Sequence, residues 1–553
     1  MSLRPQPARD VPEETARIAR AAFPKGCLAI RLRNELGQVF TDDQFAQAFP
    51  ARGGPGLSPG ELALVAVLQF AEGLTDRQAA DAVRGRIDWK YALALELSDP
   101  GFDFSVLSEF RDRLISHAVE EQLLQTLLEH CTRLGLLRAG GRQRTDATHV
   151  IAAVRTLNRM EFVGETLRCA LEALAVADPA WLASIVTTEW ISRYGSRVDN
   201  YRLPKGEDAR QRWALAVGAD GFTLLEAVYH PDAPAWLRQL PAVQVLRIAW
   251  IQQYHRSEKG VRWREGKDLP PAARRLSSPY DPDAHYGLKR GAGWCGYKVH
   301  LSETCDADAP HLITGVVTTD ATVPDAQVTD QIHTDQIRRG LRPDVHVVDA
   351  GYISATLILT ARDVHAIELL GPVGLDTHAS VSDGMGQEAF AIDWGARAVT
   401  CPAGVTSVSW SDQHKPNGTP ISRVHFAIAD CGPCPLRAAC TRADGHKWGR
   451  SLTLLPAAQQ QILDRRRHEQ QTDGWKARYA VRAGVEGTIS QAVRTGNIRR
   501  TRYLGLPKTR LAHLLTATAL NLIRLDAWWT GTPIRGTRKS HLERLGADLG
   551  MAA

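Results

Sequence analysis

The chain has 553 residues, 44% hydrophobic and 23% charged, with a net charge of +6 and a pI of about 8.8. That length allows two to four domains, and the balance implies packed cores and excludes wholesale disorder. The mild basic excess permits a nucleic-acid partner without establishing one. No apolar h-region follows Met1 and no run of about 20 apolar residues occurs, so neither a signal peptide nor a membrane span is expected.

In chain order, residues 10–140 read as helical. Ser58-Pro59-Gly60-Glu61 predicts a helix start, with Ser58 as N-cap, Pro59 in the first turn and Glu61 completing a capping box. Gly73 ends that helix and Thr75 caps the next, over residues 76–84. Two short helices around a tight turn fit either a helix-turn-helix or a plain bundle. Residues 142–151 are β-compatible. A mostly helical stretch follows over 155–255, then a polar, basic, Pro- and Gly-rich segment over 256–292 that reads as loop or linker. From Tyr297 the pattern turns α/β: strands over 297–302 and 311–318, helix over 325–337, strand over 345–348, helix over 354–364 and strand over 366–370. Residues 380–455 lose this rhythm, 463–493 are helical, and 510–528 form a last apolar helix. There Leu511, Leu514, Leu515, Ala519, Leu522 and Leu525 are expected against the sheet.

Three acids stand out. Asp349 ends the apolar strand 345–348 and precedes Ala350-Gly351-Tyr352; an acid at the carboxyl end of a buried parallel strand points into the crevice where ligands bind. Asp344, at the other end, reads as a solvated turn residue, and Asp320 and Asp325 as weaker rivals. Asp146 lies mid-strand, either functional or merely solvent-facing. Glu486 follows Tyr479 and Arg482 at i, i+3 and i+7, one helix face, where an ordinary Arg-Glu pair is the plain alternative.

The segment from Tyr479 to Leu506, YAVRAGVEGTISQAVRTGNIRRTRYLGL, resembles the last catalytic motif of insertion-sequence DDE transposases: Tyr, two residues, Arg, three residues, Glu. RTDATHV resembles the first Asp block and VVDAGY the second, while Leu74 to Gln78 and Phe110 to Arg113 resemble the N-terminal helical region of those elements. The resemblance implies a metal-dependent enzyme that cleaves DNA and transfers strands. It implies an α/β catalytic domain of RNase H-like fold, an all-α N-terminal domain, and one helical and one Cys-rich insertion. The implied division is a DNA-binding domain over 1–140, the first catalytic strand over 141–155, a helical insertion and basic linker over 156–292 and the core over 293–375. The Cys-rich insertion then spans 376–455, catalytic helices 456–530 and a tail 531–553. Asp146, Asp349 and Glu486 would hold Mg2+ or Mn2+, supported by Tyr479 and Arg482. The partners implied are double-stranded transposon ends and target DNA, bound by a homodimer, with no membrane; the location is the cytoplasm, at the nucleoid. One departure is visible: Val493 stands where the family often has Lys, and the adjacent Arg494 is turned about 100° around a helix.

Of nine cysteines, Cys27, Cys131, Cys169, Cys295 and Cys305 read as buried thiols in a reducing compartment. Cys401, Cys431, Cys434 and Cys440 suffice for a tetrahedral zinc site, with inert thiols and a redox role as alternatives. Arg494, Arg499, Arg500, Arg502, Lys508 and Arg510, with no acid among them, predict a phosphate-contacting surface beside Glu486; a solvated face is the alternative. Residues 256–267, with Trp263, are a second such candidate. Gly260 to Lys267 misses the phosphate-loop pattern by one residue and has Asp268 in place of Ser or Thr, so ATP binding is not expected. Two rivals to an active transposase stay open: a derived DNA-binding protein without catalysis, and a hydrolytic nuclease of the same fold.

Overall fold

The computed structural model describes the chain except for residues 1, 51, 55, 259, 290, 376–383, 442–447, 533–539 and 550–553. Much of the expected tail, and two stretches within the Cys-rich region, therefore lie outside the described residues.

The centre is a mixed sheet of β1 (Arg142–Ile151), β2 (Ala292–Thr304), β3 (Ile313–Asp320), β4 (Val345–Val347) and β5 (Glu368–Leu370), in the order β3-β2-β1-β4-β5. β2 runs antiparallel to both neighbours, whereas β1, β4 and β5 are parallel. A further short strand, His285–Lys289, pairs with the start of β2 along the same edge as β3. The basic segment expected as loop is thus partly β-structure, and a hairpin of Tyr254–Ser257 and Gly260–Trp263 straddles its start. Polar sequence there was misleading, because edge strands and hairpins need only one covered face. Gly296, with φ +150°, stands where β2 meets β1 and the short strand together; a Cβ there would lie 2.1 Å from the Val150 carbonyl oxygen.

One face of the sheet carries the last long helix, Leu506–Trp529. Its Leu511, Leu514, Leu515, Ala519, Leu522 and Leu525 are buried in one core with Val299, Leu301 and Ile313. Full burial of each leucine contributes about 1.5–3 kcal/mol. Asn521, on the same face, bonds both the N–H and the carbonyl of Ile313 (2.7 and 2.9 Å). The same core takes in Leu62, Val65, Leu68 and Phe110 of the N-terminal helices. The division expected near residue 140 is therefore a change of element type rather than of core. In that helical region Pro59–Glu72 is capped by Ser58 and ends on Gly73 in the left-handed conformation, and Thr75 forms a full capping box with Gln78. The expected box at Glu61 is only half made: its N–H bonds Ser58, but its carboxylate is drawn to Arg9.

The other face of the sheet carries the helices Thr329–Arg338 and Ala355–Asp363 over Ala147, Val317, Val348 and Tyr352. A polar thread crosses it: Thr145 Oγ1 meets His346 Nε2 at 2.6 Å, and His346 Nδ1 meets His333 Nε2 at 2.8 Å. Two insertions have cores of their own. The helical one, between β1 and β2, packs Phe162, Leu167, Leu224, Leu246 and Trp250. The one after β5 forms a three-stranded sheet, Ser409–His414, Pro420–Ala427 and Trp448–Leu454, around Val424, Phe426 and Leu452.

Candidate active site

Asp146 sits in mid-β1, opposite Leu301. Asp349 lies two residues past β4 at the head of a turn, where one carboxylate oxygen accepts the Gly351 N–H at 2.8 Å. Glu486 is in the first turn of the helix Gly484–Gly496. These three converge on one side chain. Arg482 Nη2 is 2.9 Å from Asp146 Oδ2 and 3.6 Å from Asp349 Oδ2, and its Nη1 is 3.4 Å from Glu486 Oε1. Among the described residues no three Asp, Glu, His or Cys side chains are drawn together tightly enough to hold a metal as they stand. In the acidic site the guanidinium lies between the carboxylates instead.

Burial pushes the Asp146 carboxyl above its ordinary value; Arg482 counters this, and neighbouring Asp349 adds to it. Such a group gains most from a cation. Tyr479 stacks on Trp475 (4.7 Å between ring centroids), and burial, with Asp349 and Asp146 nearby, raises its phenol.

Tyr479, Arg482 and Glu486 do not share one continuous α-helix. The helix Asp473–Tyr479 passes through a 3-10 turn, Ala480–Ala483, before the next begins at Gly484. Arg144 donates to the Val481 carbonyl (2.5 Å), which also accepts the Gly484 N–H that closes the 3-10 turn. A Cβ on Gly484 would stand 2.1 Å from the Arg144 guanidinium, so the glycine is what lets Arg144 reach. Arg144 in turn pairs with Glu303, which is wholly enclosed and also takes Arg524 and the Thr488 hydroxyl.

That cluster escaped sequence reasoning, since nothing local marks Glu303 as buried and doubly paired. Asp325, weighed as a weak rival, is close to Asp349 but neutralised by Lys298 (3.0 Å). Asp344 is at the far end of β4, largely exposed and beside Arg342. Asp320 is engaged in a local turn through Thr322.

The six basic residues after Glu486 do not form one open strip. Lys508 is paired with Asp112 (2.8 Å), and Arg510 is held by Glu120 and Glu121, so both tie the last helix to the N-terminal region. Acids far away in sequence claimed them. Arg494, Arg499, Arg500 and Arg502 are exposed. Arg499 donates to Thr148 (2.9 Å), and Arg502 lies over Phe70 and Tyr503. Arg500 and Arg502, with Tyr503 and Phe70, line a cleft of about 240 Å³ between this segment and the N-terminal helices. Val493 packs on the core, while Arg494 is exposed and donates to the Ser490 carbonyl (3.4 Å). In the weaker second candidate, Arg256 pairs with Glu226, and Trp263 is covered by Arg159 (4.1 Å), so the tryptophan belongs to the insertion's own packing.

Cys401, Cys431, Cys434 and Cys440 line a common cavity of about 30 Å³. Burial raises the Cys440 thiol, the other three thiols push the same way, and Arg450 opposes them. The Arg450 N–H lies 3.5 Å from Cys431 Sγ. Cys131, Cys295 and Cys305 are buried and Cys27 and Cys169 half-buried, all five with thiols raised chiefly by burial. No helix among the described residues is long and apolar enough to cross a membrane.

Comparison with known families finds two matches. Residues 400–526 match the family described as Transposase DDE domain, and residues 18–113 match that described as Transposase domain (DUF772). The first match contains the four cysteines, Tyr479, Arg482 and Glu486 but reaches neither Asp146 nor Asp349. No curated protein matches the chain.

Proposed function

We propose, from the matches to two transposase families, that this protein is an insertion-sequence DDE transposase that cleaves DNA at the ends of its element and joins those ends to a target. The observation that carries the reading is the convergence of Asp146, Asp349 and Glu486 on one cationic group from three separate elements. The strand order β3-β2-β1-β4-β5, with β2 alone antiparallel, supports an RNase H-like core for it.

The donor set fits Mg2+ or Mn2+. All three ligands would be hard carboxylate oxygens, they already face a positive charge, and Asp146 is destabilised as an anion by burial. When bound, two such ions activate the attacking oxygen and stabilise the leaving one. The chain's own part is orientation. β1 and the turn after β4 fix Asp146 and Asp349, while the Arg144–Glu303 pair fixes the turn that carries Arg482. Arg494, Arg499, Arg500 and Arg502 would follow the phosphate backbone beside Glu486, with Tyr503 available for stacking. Lys508 and Arg510 are better read as structural. The partners would be transposon-end and target duplexes at the nucleoid, bound by a homodimer. A zinc ion shared by Cys401, Cys431, Cys434 and Cys440 would staple the small insertion; their common cavity and the N–H aimed at Cys431 support it.

The test supplies purified protein, Mg2+ and a duplex carrying the element's terminal sequences. Asp146→Asn, Asp349→Asn and Glu486→Gln should each reduce cleavage and joining by about 10³-fold or more while duplex binding persists. Cleavage without joined product would favour the hydrolytic nuclease. Binding without cleavage by the wild type would favour the derived DNA-binding protein.

A further inference from the structure

We infer that Arg482 is a resident counter-ion of the three carboxylates, which divalent metal must displace, and that a DNA phosphate draws it away, so that DNA and metal bind cooperatively through this one side chain. The inference rests on the metal-site reading above and extends it.

Three acids that converge from β1, the turn after β4 and the helix Gly484–Gly496 repel one another unless a cation stands among them. Arg482 contacts all three, at 2.9, 3.6 and 3.4 Å. Its side chain is only 17% exposed and that of Asp146 14%, so this contact is partly shielded from water and not screened as surface pairs are, while Glu486 stands at the open side. A planar guanidinium spreads its charge over several donors and can serve three carboxylates at once. That same spread puts its two terminal nitrogens in the space that metal ions on those oxygens would need.

The arrangement is also unfinished. Arg482 Nε is buried and has no hydrogen-bond partner among the described residues. An arginine settled for good would satisfy that donor. A phosphate can accept from Nε and one Nη together, in bidentate geometry, which the three scattered carboxylates do not offer. The backbone beneath is held still, because Arg144 grips the Val481 carbonyl and is itself paired with buried Glu303. Release therefore needs only side-chain rotation, with Asp146, Asp349 and Glu486 left in place for the metal.

If so, removing the guanidinium should tighten metal binding to the free protein and abolish the benefit of DNA, because coupling is reciprocal. The experiment measures Mn2+ binding by electron paramagnetic resonance. It uses the full chain, alone and with a pre-cleaved end duplex terminated by a 3′-dideoxynucleotide, so that no chemistry proceeds. Wild type should bind Mn2+ about tenfold more tightly with the duplex than without it. Arg482→Gln should bind about tenfold more tightly than wild type without DNA, and the duplex should then add less than about threefold. Arg482→Lys, which keeps the charge but cannot reach all three acids in one plane, should fall between and serves if the glutamine variant does not fold. Mn2+ should raise the melting temperature of Arg482→Gln more than that of wild type. The inference is overturned if wild type binds Mn2+ and neither variant binds it more tightly without DNA, or if the DNA effect persists at full size in both. If wild type and both variants all fail to bind Mn2+, with and without the duplex, the metal-site reading itself falls.

Discussion

Glu303→Gln is expected to damage stability and the active site together. Glu303 is fully enclosed on β2 and neutralises two arginines, Arg144 at 2.7 Å and Arg524 at 2.7 Å, whose side chains are 7% and 14% exposed. Burial pushes its carboxyl up, yet Arg524 and Arg144 outweigh this and hold it below the ordinary value. A group so depressed lends stability above about pH 4.5, lost as pH falls through the folded value. The amide substitution removes the charge while leaving both guanidiniums in place. Breaking a buried pair this way costs about 3–5 kcal/mol, mostly from the uncompensated partners. Arg144 would then be freer to leave the Val481 carbonyl, and the turn that leads into the helix of Glu486 would lose its hold, displacing one of the three metal-facing carboxylates. Urea unfolding followed by tryptophan fluorescence should show a lower midpoint, with a loss of that size. Mn2+ affinity should fall as well, although Glu303 touches none of the three acids. An unfolding free energy within about 1 kcal/mol of wild type, with unchanged Mn2+ affinity, would refute the reasoning.

Three further outcomes are expected. His333, pulled to about 4 by burial and then by His365, and His346, held well below its ordinary value by burial and then by His333, are neutral in the fold. Their contribution is present above about pH 6.5 and is lost as pH falls toward 4, by roughly 3 kcal/mol for His333 alone; a melting temperature unchanged between pH 7.5 and 5 would contradict this. Metal analysis of the purified protein should find one zinc per chain, lost in Cys434→Ser; absence of zinc, with all four thiols freely alkylated in the native state, would rule the site out. Replacing Arg499, Arg500 and Arg502 together should flatten the salt dependence of duplex binding by up to about 0.9 in log–log slope per lost contact. Replacing Lys508 and Arg510 should leave the slope unchanged and lower the melting temperature, and the reverse pattern would relocate the DNA path.

Much of this architecture is local. The Ser58 and Thr75 caps, the leucine stripe of the last helix, and the strands and helices after Tyr297 follow from periodicity and turn chemistry, which neighbours a few residues away decide. The spacing of Tyr479, Arg482 and Glu486 also marked the region where the acids meet, though the 3-10 turn between them did not show. That turn is gripped from a distant element, because Arg144 of β1 donates to its Val481 carbonyl.

Charge was legible as composition but not as pairing. Lys508 and Arg510 look like Arg500 and Arg502 in sequence; only packing brings Asp112, Glu120 and Glu121 against the first two and leaves the other two at an open cleft. Likewise, nothing near Glu303 announces that it will be enclosed, and nothing near Arg482 announces three carboxylates around it. Backbone preferences act over a few residues and so can be read from the chain. Coulomb partners and burial depend on distances across the sheet and its helices, and these exist only once the chain has folded.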